Sequence, residues 1–285
     1  MKKFIKLTVL LVVALLLSSC SIETDTLEDA KVYTTTYPIN YLTKVLYKDH
    51  SEIASIYPND ADYNTYNLTK KQIKEYSKAD LFIYNGLTNE KDIAKKFINK
   101  NSELLIIDVS NGLTLSNDMT ELWLSPNNYL MLAKNIKKYL QEYVNSKAIN
   151  DDIERNYLEF EEKISVMDAS LHLLGRNAKN KNKNIIVASN DTFKYLNNYG
   201  FEVISLEDEA NLKDNKLNTI KSNFNSGKYK YILTLDTDIS NPVVNELKDN
   251  NKAEIITVDS LTLSLTDDYF DIMNSYIQNI KTITD

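Results

Sequence analysis

DDIERNYLEFEEKISVMDASLHLLG, Asp151 to Gly175, is the stretch on which the architecture turns. Its apolar residues Ile153, Tyr157, Phe160, Ile164, Met167, Leu171 and Leu174 recur at spacings of 4, 3, 4, 3, 4 and 3. That period of about 3.5 residues keeps one helix face apolar over several turns. Such a seam has two uses: it can zip onto a second copy of the chain, or it can lie along the chain's own body. It occurs once, between two segments of another pattern, and this favours one long helix packed on its own protein in a monomer. The spacing predicts the helix over 150–176, opened at Asn150 or Asp151 and stopped at Gly175. Beyond it NAKNKNKN, Asn177 to Asn184, reads as an exposed link.

Working toward the N-terminus, strands and helices alternate. KVYTTTYP (Lys31 to Pro38) is β-branched and aromatic, and INYLTKVLY follows with Ile39, Leu42, Val45 and Leu46 on one helical face. IASIYP, LTKKQIKEYSKA, DLFIYNG, NEKDIAKKFINK and ELLIIDVS then read as strand, helix, strand, helix and strand, and Ser125 and Pro126 start a helix carrying Tyr129, Leu132, Ile136 and Leu140. Toward the C-terminus the same alternation resumes with NIIVAS, a helix from Asp191 to Asn198 closed by Gly200, FEVISL, LNTIKSNFNSG, YKYILTL, NPVVNELKDN, AEIITVD and a last helix from Asp267. Uninterrupted apolar strands separated by helices form parallel sheets covered on both faces. The fold class is therefore α/β: a lobe over 31–149, the connecting helix over 150–176 and a second lobe over 177–285. Two exported lobes on one helix describe a solute-binding protein with its ligand in the cleft between them.

The export reading comes from the first twenty residues. Lys2, Lys3 and Lys6 lead an apolar run from Leu7 to Leu17, too short to span a bilayer, and small residues then lead to Cys20. The string LSSC, Leu17 to Cys20, resembles the bacterial lipobox. On that reading 1–20 is a lipoprotein signal peptide, Cys20 carries lipid at the mature N-terminus, and 21–30 is a flexible tether. Cys20 is the only cysteine, so no internal disulfide contributes and stability rests on the core.

Composition narrows the partners. Removing Lys2, Lys3 and Lys6 from the 33 basic residues leaves 30 against 40 acidic, a mature net charge of −10. That argues against nucleic acid or an anionic membrane surface, both of which require a clustered positive face. The five glycines, Gly86, Gly112, Gly175, Gly200 and Gly227, are too scattered to build a phosphate cradle, which removes most nucleotide cofactors.

Five strings carry a family resemblance in the right order: TTTYP (Thr34 to Pro38), ADLFIYNGLTNE (Ala79 to Glu90), LWLSP (Leu122 to Pro126), SNDTFKYLNNYG (Ser189 to Gly200) and ITVDSL (Ile256 to Leu261). From about Lys31 to the end the chain resembles the lipoprotein receptors of zinc and manganese ABC importers. The resemblance implies two α/β lobes on a rigid helix, a membrane anchor on the outer face of the bacterial cytoplasmic membrane, and delivery of a divalent ion to a permease. It also implies four ion ligands, two from each lobe, usually histidines with an acidic residue. The matching positions here are Tyr63, Glu121, Asn190 and Asp259, and only the last keeps the family's residue type.

The substitutions change the donors from nitrogen and oxygen to oxygen alone. Zinc favours imidazole and thiolate, whereas carboxylate, amide and phenol oxygens suit manganese, calcium or magnesium. The expectation is a hard divalent ion, manganese rather than zinc, with Asp62, Asp191 or Asp236 able to join the shell; Tyr63 as phenolate would suit ferric iron. The alternative is a divergent surface lipoprotein that has lost its metal and serves as an interaction or adhesion module. No enzyme is expected. The two histidines, His50 and His172, match no ligand position and have no nucleophile string beside them, and nothing resembles a carboxylate-pair glycosidase.

Overall fold

The structure is a computed structural model that describes residues 27–58, 61, 65–113, 121–208, 210–261 and 268–285. The signal peptide, Cys20, most of the tether, Asp62 and the candidate ligand Tyr63 lie outside the described residues.

The first lobe runs β1 (Ala30–Thr34), α1 (Tyr37–Tyr47), β2 (Ser51–Ser55), α2 (Lys70–Tyr76), β3 (Leu81–Tyr84), α3 (Glu90–Ile98), β4 (Leu105–Asp108) and α4 (Pro126–Tyr143). The long helix α5 (Lys147–Asn180) leads to β5 (Ile185–Ala188), a 3-10 helix over Asp191–Tyr199, β6 (Glu202–Ser205), α6 (Asp214–Asn225), β7 (Tyr231–Leu235), α7 (Pro242–Asn250), β8 (Glu254–Val258) and α8 (Tyr269–Thr284). The sheets are both parallel and share one topology, β2-β1-β3-β4 and β6-β5-β7-β8. Each reverses its winding direction once, between β1 and β3 and between β5 and β7, and ligands of open α/β sheets bind beyond the strand C-termini at such points.

Side chains alternate across each strand, and the alternation sorts three cores. Phe82 and Tyr84 point to an outer core with Ala94, Phe97 and Leu104 under α2 and α3. Val187 and Ile232 point to a matching outer core with Ile220, Phe224, Val244 and Leu247 under α6 and α7. The inner faces, through Leu81, Ile83, Ile186 and Leu233, share one continuous core with α1, α4, α5 and α8. The seam of α5 lies in that shared core: Ile153, Phe160, Ile164 and Leu171 are 0–1% exposed, so it is used within the chain.

Three local expectations are corrected. The long helix begins at Lys147 rather than 150, because Ser146 caps it by accepting the Ile149 N–H at 3.5 Å. It also runs past 176 to Asn180, absorbing half of the expected link. Gly175 does not stop it: a Cβ there would meet the Tyr199 carbonyl oxygen at 1.9 Å, so this glycine permits close approach of α5 to the end of the 3-10 helix. Ser125 occupies the cap position of α4 without a side-chain capping bond, and Pro126 alone supplies the start signal. Gly200, at φ 93°, does close the 3-10 helix as its spacing suggested.

The two histidines are structural. His50 Nε2 lies 3.3 Å from Asp152 on α5, and His172 pairs with Asp168 and packs its ring on Tyr199.

Candidate functional site in the interlobe seam

The strand C-termini of the two lobes face each other across a seam of crossing hydrogen bonds. Trp123 Nε1 donates to the Ser260 carbonyl at 2.7 Å, and Tyr269 Oη donates to the Trp123 carbonyl at 2.8 Å. Tyr41 Oη donates to Asp268 Oδ2 at 2.9 Å. Trp123, Tyr129 and Tyr269 are each at most 2% exposed, with the Tyr129 and Tyr269 rings 4.2 Å apart. The lobes are thus joined by a dry aromatic wedge and not only by α5.

Glu121 sits two residues before that wedge and is 8% exposed. Its Oε2 accepts the Thr192 hydroxyl proton at 2.7 Å, which ties the first lobe to the start of the 3-10 helix. Asn190, at the end of β5, caps that helix: its Oδ1 accepts the Thr192 N–H at 3.0 Å. Its Nδ2 donates to Asp238 Oδ2 at 2.6 Å, and the Ser189 hydroxyl donates to the same oxygen at 2.7 Å. Asp259, just past β8, accepts the Leu261 N–H at 2.7 Å, and the next residue, Ser260, receives the Trp123 bond. Glu121 is therefore bonded two residues past Asn190, and Asp259 stands one residue before the carbonyl that Trp123 bonds across the seam.

The electrostatics are those of opposed carboxylates. Burial pushes the Asp238 carboxyl above its ordinary range, Ser189 and Asn190 oppose this by hydrogen bonding, and the negative fields of Glu121 and Glu207 reinforce it. Two of the three reserve ligands are committed elsewhere. Asp191 pairs with Lys194 at 2.9 Å, and Asp236 Oδ1 accepts the Ser260 and Thr237 N–H groups. Among the described residues, no group of three or more histidines, cysteines or acids is disposed to hold a metal ion.

Thr192 and Asp238 are the polar contributors that sequence reading did not single out. The signal for Asp238 was its place three residues past the end of β7, where this topology puts ligand-facing groups. Thr192 carries no such signal, because its value lies in a contact 71 residues away in sequence.

The family model described as "ZnuA: Zinc-uptake complex component A periplasmic" matches residues 32–283. The chain is 29% identical over 222 residues to the manganese ABC transporter substrate-binding lipoprotein PsaA of Streptococcus pneumoniae, covering 69% of this chain and 68% of that one. It is 29% identical over 195 residues to the iron-binding protein YfeA of Yersinia pestis, covering 64% of this chain and 60% of the relative. The chain thus spans about three fifths of the length of the Yersinia protein. Among solved structures, ZnuA superposes with a TM-score of 0.73 at 17% identity, covering 90% of this chain and all of that one. The Zn(II)-bound ZnuA-like domain of Streptococcus pneumoniae AdcA gives 0.73 at 19% identity, covering 90% and 99%. These structural likenesses are of fold.

Proposed function

The chain belongs to the ZnuA family of zinc-uptake complex component A proteins, and on that premise we propose that it is the lipid-anchored receptor of an ABC importer for a hard divalent cation. The family comprises substrate-binding components rather than enzymes. In this reading a monomer held at Cys20 on the outer face of the cytoplasmic membrane captures the ion between its lobes and presents it to a membrane permease.

The observation that supports the reading is the pair of interlobe bonds, Glu121 to Thr192 two residues past Asn190 and Trp123 to Ser260 one residue past Asp259, beyond the C-termini of β5 and β8 where this topology binds ligands. Tyr63 is retained as the fourth proposed ligand from its place in the sequence. Every donor in the set is oxygen, and Asp238 adds another carboxylate beside Asn190. Oxygen donors suit manganese over zinc, and two relatives are named for manganese and for iron. A cation also answers the electrostatics: it would offset the repulsion between Glu121 and Asp238 that their shared seam imposes.

A second reading has its own observation. Both polar ends of Asn190 are engaged, Glu121 is tied to Thr192, and the described residues offer no acid cluster of metal-binding form. A seam closed in this way suits a scaffold that has lost its ion and serves as a surface interaction module. Elemental analysis of the full chain purified from bacterial membranes separates the two. The receptor reading expects manganese to copurify and added manganese to raise the melting temperature with its concentration. No copurifying ion and no shift with manganese, calcium, iron or zinc would leave the second reading standing.

A further inference from the structure

The proposed cation cleft is acidic, and the opposite edge of the first lobe carries the other sign. α2 and α3 lie side by side on the outer face of the first sheet, and the open groove between them is lined by Lys70, Lys74, Lys78, Lys96 and Lys100 around Ile73. All five lysines are exposed. Lys78 has an exposed pair with Glu75 at 3.4 Å, and among the described residues Lys70, Lys74, Lys96 and Lys100 have no ion-pair partner. Lys70 and Lys74 stack like charges four apart on α2, an arrangement that costs helix stability rather than adding to it, and Lys78 and Lys100 extend the cluster just past the ends of α2 and α3. In a chain of formal charge −7 this cluster is no product of composition. It overturns the expectation, drawn from acid excess, that the protein lacks the positive face an anionic membrane requires: the charge is segregated rather than averaged.

The groove's position gives it a partner. Lys31, the second residue of β1, donates its N–H to Asp80 Oδ2 at 2.7 Å and accepts the Asp80 N–H through its carbonyl at 3.0 Å. Asp80 closes the turn after Ser77 and Lys78, and Asn101 Nδ2 donates to the Ser77 carbonyl at 3.0 Å. The C-terminal ends of α2 and α3 therefore lie at the N-terminal edge of the sheet, the same edge from which Leu27, held by Tyr47 and Ser51, leads into β1. Glu121, Asn190 and Asp259 lie beyond the C-terminal edges of the strands, on the far side.

We propose that this lysine groove rests on anionic phospholipid headgroups of the membrane that anchors the chain, holding the receptor in a loading orientation with its cleft turned to the external solution. Phosphate groups suit ammonium point charges, and basic residues near an anionic leaflet gain attraction that salt removes within a Debye length of about 8 Å. Presentation to a permease then requires release from the lipid and rotation on the tether. The inference rests on the anchored reading above.

The test uses the full chain purified from bacterial membranes and reconstituted into vesicles of phosphatidylcholine with or without phosphatidylglycerol. The readout is the acetylation rate of each lysine by an amine-reactive ester, measured by mass spectrometry. The expected result is several-fold slower labelling of Lys70, Lys74, Lys96 and Lys100 on anionic vesicles only, abolished by high salt, while Lys216 on α6 is unchanged. A chain carrying K70Q, K74Q, K96Q and K100Q, with its melting temperature checked, should leave Lys78 unprotected. If the chain sediments with vesicles but its groove labels equally on both compositions, the docking proposal is overturned while the anchor stands. If it does not sediment with neutral vesicles, the anchored reading itself is wrong. Equal protection by inorganic phosphate without vesicles would assign the groove to free phosphate and overturn the membrane as its occupant.

Discussion

The Thr192 hydroxyl donates to Glu121 Oε2 at 2.7 Å, so the two lobes are bonded through a side chain proposed above as an ion ligand. Thr192→Val keeps the shape and removes the donor. The change should lower stability by about 1–3 kcal/mol, because a buried carboxylate loses a charge-assisted bond. The urea midpoint measures it, and an unchanged midpoint would show that the bond contributes nothing to joining the lobes.

Gly175 tests how closely α5 approaches the second lobe. At an exposed helical site Gly→Ala stabilises by up to about 1 kcal/mol. Here the added methyl meets the Tyr199 carbonyl at 1.9 Å, and the clash should instead cost about 1–3 kcal/mol. The sign of the shift in thermal midpoint decides between a packing glycine and a mere helix-terminator.

Glu90, at the first turn of α3, is 1% exposed and accepts the Asn85 N–H at 2.7 Å. Burial raises its carboxyl from 4.5 to about 7 against that bond. The folded state therefore holds the proton more tightly than the unfolded one. The resulting stability is present in full below pH 4.5 and is lost as pH rises through 7. Relative to Glu90→Gln, which does not titrate, the native chain should lose on the order of 3 kcal/mol over that window. Denaturant curves across pH measure the difference, and parallel curves for the two proteins would refute the raised carboxyl.

Trp123 is the only tryptophan, and its indole bridges the lobes to Ser260 at 2.7 Å. The shared core and the wedge of Tyr129 and Tyr269 predict that ligand binding moves the lobes little. The Trp123 emission maximum should stay fixed on adding manganese. A red shift would mean that the seam opens to water and that the lobes rotate.

Much of this was legible in the sequence, for stated physical reasons. Alternating apolar strands and amphipathic helices report burial directly, so the two parallel lobes and the α5 seam could be read from Ile153 to Leu174. Gly175 misled because a glycine permits several things, and only the fold shows that here it admits a carbonyl. Ser146 and Ser125 are the same residue type before a helix, yet only Ser146 makes a capping bond. Of the candidate site, Glu121, Asn190 and Asp259 come from string matches and stay proposals, whereas the parts played by Thr192 and Asp238 depend on contacts between distant segments. The lysine groove was hidden by the net charge, which sums over faces that the fold keeps apart.

The central claim is that a hard cation binds in the interlobe seam, and calorimetric titration of manganese and zinc into the full chain and its E121Q/D259N variant tests it most directly. The account predicts saturable manganese binding, weaker zinc binding, and at least about a tenfold loss of manganese affinity in the variant, equivalent to about 1.4 kcal/mol. No manganese binding, zinc binding tighter than manganese, or an unaffected variant would contradict it.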